Sequence, residues 1–100
     1  MRLRNFNDHL KERLDQAEIK KLRDQAQLES KSLKNLQSDI AAAIANHMQE
    51  TGMGFNELTR GLGVSPSQAA KIKKGEANLT FTSIAHIATF LGKKPRLIFN

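Results

Sequence analysis

The sequence predicts an all-α protein in which a compact bundle of four to five helices follows a helical N-terminal extension. Glycine first occurs at Gly52, and proline occurs only at Pro66 and Pro95. No strong helix breaker therefore interrupts the first half of the chain. In that half, apolar residues recur every three or four positions, as they do on one face of an α-helix. After Gly52, short amphipathic stretches alternate with glycine-containing turns, which is typical of short packed helices.

Length and composition narrow the possible classes of protein. A chain of 100 residues suggests one domain with an appendage. The absence of cysteine excludes disulfides and thiolate metal sites, and it suits a reducing cytoplasm. We expect no signal peptide and no membrane helix, since no apolar run approaches the ~20 residues that a span needs. The net charge of +6 favours an anionic partner such as nucleic acid.

Residues 1–36 form the predicted extension. Its apolar stripe changes phase between Leu14 and Ile19 and again between Ala26 and Leu33, which predicts a bend or break at each point. Most of its side chains are charged or polar, so it cannot bury enough apolar surface to fold alone. Two interpretations stay open: a solvated helical arm, or a docking segment for another protein.

Polar residues predict where the helices of this first half begin. Asn7 or Asp8 could cap a first helix, because their side chains accept hydrogen bonds from free backbone N–H groups. Asn35 or Ser38 could cap the next helix. Gly52 would end that helix as a left-handed residue.

Residues 37–94 form the predicted domain, and two of its short helices meet at a tight turn. The first has Phe55, Leu58 and Leu62 on one face. Gly63-Val64-Ser65 is the predicted turn. Ser65 can cap the next helix, with Pro66 at its first position, where the missing N–H is not needed.

The later elements follow from the same signals. Ala69 and Ile72 should face inward on the second of these helices, which Gly75 ends. Thr80 or Thr82 should cap a final apolar helix that stops at Gly92. Residues 95–100 are predicted to form a short extended tail with the apolar side chains Leu97, Ile98 and Phe99. These side chains either pack on the bundle or pair with a second copy.

Two helices joined by a three-residue turn, the second of them basic and exposed, are what a helix-turn-helix requires. Gly63 supplies the small residue that the sharp reversal needs. We expect Ser67, Gln68 and Lys71 on the face opposite Ala69 and Ile72. Those three polar side chains would face a partner.

The stretches "ELTRGLGVSPSQAAKIKKG" and "NLTFTSIAHIATFLG" resemble the lambda-repressor-like helix-turn-helix family, also described as Xre or Cro/C1-type. The likeness covers residues 38–92. It implies a compact helical bundle whose third helix enters the major groove of DNA. Where the family often has Thr-Gln or Ser-Gln, this chain has Gly54 and Phe55, and Asn56 is the nearest substitute for the usual phosphate contact. An extension ahead of such a domain also resembles the layout of antitoxins from toxin–antitoxin modules.

The resemblance and residue chemistry together predict the DNA contacts. Lysine can donate to guanine and glutamine fits adenine, so we expect Ser67, Gln68 and Lys71 to contact bases. Pro66 could only touch a thymine methyl group. For Lys73 and Lys74 a solvated helix end is the alternative, and for Asn78 the alternative is helix capping. The expected phosphate contacts are Asn56, Arg60, Ser65, Lys73, Lys74 and Asn78.

No enzyme site emerges from the sequence. His9, His47 and His86 are too far apart to form a spaced metal motif, and packed or half-exposed histidines are expected instead. We expect no cofactor and no metal, since neither a catalytic Ser-His-Asp order nor a phosphate-binding glycine loop is present.

These observations predict a sequence-specific DNA-binding transcription regulator. The expected form is a homodimeric repressor on an inverted-repeat operator in double-stranded DNA, located in the cytoplasm. The alternative is an antitoxin that neutralises a toxin through its extension and represses its own operon.

Overall fold

The computed structural model describes residues 16–99, and over those residues the protein is all-helical, without a strand. Four helices follow one another along the chain: α1 (Gln16–Thr51), α2 (Phe55–Leu62), α3 (Pro66–Lys74) and α4 (Phe81–Leu91). This confirms the predicted all-α class.

Helix α1 runs without interruption through the segment from Ala26 to Leu33, so of the two outcomes predicted there, the break is wrong and the bend stays a prediction. A change of phase rotates the apolar stripe around a helix but does not end it, and α1 contains neither glycine nor proline. Asn35 and Ser38 lie inside α1, so neither caps a helix. Gly52 follows the last helical residue with a φ of 70°, the left-handed conformation expected of it.

Some expectations fall on residues 1–15 and lie outside the described part of the chain. These are the caps at Asn7 or Asp8, the apolar residue Leu14 at the first change of phase, and His9.

The chain divides into two compact units, Met1–Leu33 and Lys34–Asn100. The described part of the first unit is the N-terminal half of α1. None of its described residues is buried. Its leucines are largely exposed, with Leu22 at 55% and Leu28 at 66%. The described part of this unit therefore has no core of its own.

The second unit has a single hydrophobic core. Ile44, Leu58 and Leu62 are its largest fully buried side chains. They come from α1 and α2, and residues of α3 and α4 complete the core. Its buried cluster comprises Ile44, Leu58, Leu62, Ile72, Ala77, Ile87 and Leu91.

Helices α2 and α4 approach closely where Gly61 meets Phe90. A Cβ atom on Gly61 would collide with the ring of Phe90. The same ring packs edge-on against His47 of α1, with 5.4 Å between ring centroids. An alanine at position 61 would force the aromatic ring aside, so glycine is what lets the ring lie where it does.

The C-terminal segment after α4 has no regular secondary structure up to residue 99. Leu97, Ile98 and Phe99 are 54%, 73% and 89% exposed. The interpretation that this tail packs on the bundle is therefore wrong. Its pairing with a second copy stays a prediction.

Candidate nucleic-acid interface

The turn between α2 and α3 begins at Gly63. Its backbone is left-handed, with φ 67° and ψ 32°, and its N–H group donates to the carbonyls of Thr59 at 3.0 Å and Arg60 at 3.2 Å. These bonds satisfy the last carbonyls of α2 while the chain reverses. A side chain at this φ would be strained, which explains the glycine.

Helix α3 starts and ends as its sequence predicts. The Ser65 hydroxyl oxygen accepts a hydrogen bond from the backbone N–H of Gln68 at 3.2 Å, and Pro66 occupies the first turn. Gly75 ends the helix in a left-handed conformation. The hydroxyl proton of Ser65 is not used by this cap, so it can still be donated to a phosphate oxygen.

The opposite faces of α3 differ sharply in burial. Ala69 is 0% and Ile72 is 3% exposed, and both face the rest of the second unit. Ser67, Lys71 and Lys74 are exposed and follow the i, i+4, i+7 spacing of one helical face. We refer to Ser67, Lys71 and Lys74 as the reading face.

Gln68 does not lie fully on the reading face. It is half-buried, and it lines an open groove of about 380 Å³ together with Thr82, Ser83 and His86 of α4. The Nε2 atom of His86 lies 2.8 Å from the carbonyl oxygen of Leu62. Since that oxygen can only accept, Nε2 is the donor. Gln68 is thus placed at the edge of α3 that faces α4.

The predicted phosphate contacts on α2 and α3 are exposed. Asn56 lies near the start of α2, and Arg60 lies in its last turn. Lys73 and Lys74 lie in the last turn of α3, where cations also interact favourably with the helix dipole. From residue 58 to residue 75 the chain has four cations and no acidic residue. This stretch therefore carries a net positive charge.

Asn78 has a role that its sequence did not reveal. Its Oδ1 atom accepts a hydrogen bond from Nε2 of Gln37 at 3.3 Å, and the same Nε2 donates to the carbonyl of Ala77 at 2.8 Å. Thr80, not Asn78, caps α4 by accepting from the N–H of Ser83 at 3.1 Å. The interpretation of Asn78 as a cap is wrong. Gln37 carried no sequence signal because its partners lie 40 residues away.

Neither described histidine belongs to a metal-binding group. His47 packs against Phe90, and His86 contacts a backbone carbonyl. Residues 16–99 contain no cluster of three or more side chains able to hold a metal ion. Across the same residues, no helix combines the length and apolar character needed to cross a membrane.

Comparison with known proteins agrees with this geometry. A family model described as the Cro/C1-type HTH DNA-binding domain matches residues 43–96. That range contains α2, α3 and α4 in full, and with them the whole reading face. No curated protein matched the chain, and no solved structure matched it.

Proposed function

The chain belongs to the Cro/C1-type helix-turn-helix family and is a DNA-binding transcription regulator; beyond this, we propose that it is a dimeric repressor of an inverted-repeat operator. In this proposal α3 of each copy enters the major groove. The two recognition helices lie about 34 Å apart, one turn of the duplex. Such a regulator works in the cytoplasm, bound to chromosomal DNA.

The observation that carries the proposal is the reading face. Its three side chains are exposed, while Ala69 and Ile72 behind them are buried. A helix held in this way presents short and cationic side chains on a rigid support. Lys71 can donate to the acceptors of guanine, and Ser67 is small enough to allow close approach.

Gln68 has a smaller proposed role than Lys71. Part of its side chain is covered by the groove beside α4, so less of it is available to a base. We expect Gln68→Ala to reduce sequence preference less than Lys71→Ala does. Binding measurements on single-base variants of the preferred duplex would compare the two effects.

Phosphate contacts supply most of the affinity in this proposal. Arg60 and Lys73 are exposed cations, as is Lys74 of the reading face, and Asn56 and Ser65 add hydrogen-bond donors. Asn78 already accepts from Gln37, so its amide N–H₂ group is the part that can reach a phosphate. Binding should weaken steeply as salt concentration rises, because each contact releases a condensed counterion.

Lys71→Ala tests base reading most directly. We expect it to cost about 1–3 kcal/mol on the preferred duplex and much less on a random duplex. Lys31→Ala is the matched control, because Lys31 is an exposed helical lysine of the first unit. Equal weakening on both duplexes would reduce Lys71 to a phosphate contact and remove its role in specificity.

Repression requires a separate test. A reporter gene placed behind the selected operator should be silenced by the wild-type protein and released by Lys71→Ala. A reporter that rises with wild-type protein would contradict the repressor assignment while leaving DNA binding intact.

A second candidate function is an antitoxin that binds a toxin through the extension and represses its own operon. The favouring observation is the set of exposed leucines in the first unit, among them Leu22 and Leu28. The test is co-expression with the product of the adjacent reading frame. A stable complex, and relief of that product's toxicity, would support the antitoxin; a harmless neighbour that does not co-purify would refute it.

A further inference from the structure

In the first unit, four apolar residues and one glutamate of α1 occur at a strict spacing. Ile19, Leu22, Ala26, Glu29 and Leu33 follow one another at alternating steps of three and four residues on α1. This is the a and d pattern of a coiled coil, in which a repeat of seven residues keeps one face towards a partner helix. Ala26 and Leu33 are seven residues apart, so the repeat keeps its phase between them. It only appears to change because Glu29 occupies the intervening d position. We refer to these five residues as the seam.

Within residues 16–99, most side chains of the seam are left exposed. Leu22 is 55% and Leu33 is 46% exposed, Ala26 is exposed, and Ile19 is half-buried. Leu36, the next position of the same repeat on α1, is 49% exposed. Uncovered apolar side chains at heptad spacing gain most from a second helix that carries the same spacing.

The residues flanking the seam favour another copy of this chain as that helix. Three of the flanking e and g positions are uncharged: Gln25, Ser30 and Ser32. The two flanking positions nearer the start of the seam carry opposite charges, at Glu18 and Arg23. The lysines and aspartate of this segment lie farther from the seam, at Lys20, Lys21, Asp24 and Lys31. A different protein that recognised this helix through charged residues would meet few complementary charges beside the seam. Two identical helices meet no like-charge repulsion at these positions.

Glu29 decides the relative direction of the two helices. A parallel pair in register places Glu29 directly against Glu29 of the second copy, and two buried carboxylates repel each other. An antiparallel pair centred between Gln27 and Leu28 instead sets Leu22 against Leu33 of the second copy. In that pair Glu29 lies opposite the small Ala26, where its stem can pack while its carboxylate reaches water.

We propose that the seam forms an antiparallel two-stranded coiled coil with the seam of a second copy. Arg23 then lies beside the position of Glu29 on the facing helix, at a distance that an ion pair can span. The pairing deepens the proposed function by naming the surface that makes the regulator a dimer. It forms without DNA, so it can be tested separately from operator binding.

Sedimentation of the full chain without DNA tests the surface. The wild-type protein should dimerise in a concentration-dependent way, and Leu22→Gln or Leu33→Gln should raise the dissociation constant about tenfold or more. Leu28→Gln is the matched control, because Leu28 is more exposed than either leucine and lies off the seam. Glutamine is nearly as good a helix former as leucine, so a weaker dimer would reflect the lost apolar contact and not a lower intrinsic helix propensity.

Disulfide trapping tests the direction, because the chain has no native cysteine. A mixture of Leu22→Cys and Leu33→Cys proteins should give a mixed disulfide that joins the two variants. Leu22→Cys alone should not cross-link, since its two copies would be offset by roughly 16 Å along an antiparallel pair. Peptide mass spectrometry identifies which residues are joined.

Any of four results would overturn the proposal, and each leaves operator binding to be judged separately. One is a wild-type chain that stays monomeric at every concentration. Another is a dimer that tolerates Leu22→Gln and Leu33→Gln but is lost when residues 97–100 are removed, which would move the interface to the tail. A third is efficient cross-linking of Leu22→Cys to itself, which would show a parallel pair. A coiled coil that forms with a toxin and excludes the second copy would likewise refute it.

Discussion

The two halves of α1 have the same helical repeat but opposite surroundings. In the second unit its apolar face is covered, and Ile44 is 0% exposed. In the first unit Leu22, which also belongs to an apolar face of α1, remains 55% exposed. The comparison teaches that periodicity specifies which face of a helix is apolar, but that other elements of the chain decide whether the face is buried.

The largest expected effect is a difference in unfolding free energy between truncating a leucine in the second unit and truncating one in the first. Leu58→Ala removes a fully buried side chain from the core and should lower the free energy of unfolding by about 2–5 kcal/mol. Leu28→Ala, at 66% exposure in the first unit, should change it by no more than about 0.5 kcal/mol. Urea denaturation followed by circular dichroism measures both. Comparable losses would mean that Leu28 is covered in solution.

Gly61→Ala should produce an intermediate effect through overpacking. Alanine normally favours a helix over glycine by roughly 0.5–1 kcal/mol, but here its methyl group would meet the Phe90 ring. We expect a net loss of about 1–3 kcal/mol in thermal or chemical unfolding.

The double variant Gly61→Ala with Phe90→Leu provides the control for this clash. Because the smaller side chain leaves room for the methyl group, Gly61→Ala should cost much less in that background. Equal costs in both backgrounds would show that Phe90 is not the cause.

The smallest effect contrasts two serines in the two units. Ser65→Ala removes the hydroxyl that caps α3 and should cost about 1 kcal/mol of stability. Ser32 lies inside α1 in the first unit. Replacing it by alanine should leave stability unchanged or raise it slightly, because alanine is the better helix former. Differential scanning calorimetry of both variants tests the contrast, which would disappear if the Ser65 cap were not formed in solution.

The elements of the second unit could be predicted because their signals are local. Ser65 and Thr80 begin α3 and α4 as expected, and glycines end the helices at positions 63, 75 and 92. Each of these residues acts on backbone groups within a few positions of itself. The buried face of α3 was predictable for the same reason, since Ala69 and Ile72 repeat with the helical period.

Features that depend on distant residues could not be predicted in this way. The bond from Gln37 to the carbonyl of Ala77 joins residues far apart in the chain. The need for glycine at position 61 depends on where α4 places Phe90. Of the bend or break expected between Ala26 and Leu33, the break is wrong, because one missing apolar residue in the stripe does not end a helix. The residue between them, Glu29, is polar but fully compatible with helix.

The candidate site was predictable in outline but not in its detail. Sequence spacing placed Ser67, Gln68 and Lys71 together opposite the buried face. The structure exposes Ser67 and Lys71 but half-buries Gln68 beside α4. That difference comes from the packing of α4, which the periodicity of α3 cannot encode. Lys74, expected to contact phosphate, lies on the same exposed face as Lys71.

The most direct test of the account is the binding of the full wild-type chain to duplex DNA at two salt concentrations. The duplexes would be a sequence selected from a random pool and a shuffled version of it, followed by fluorescence anisotropy. We expect affinity for both to fall steeply with salt while the preference for the selected duplex persists. No affinity for any duplex at low salt would contradict the account.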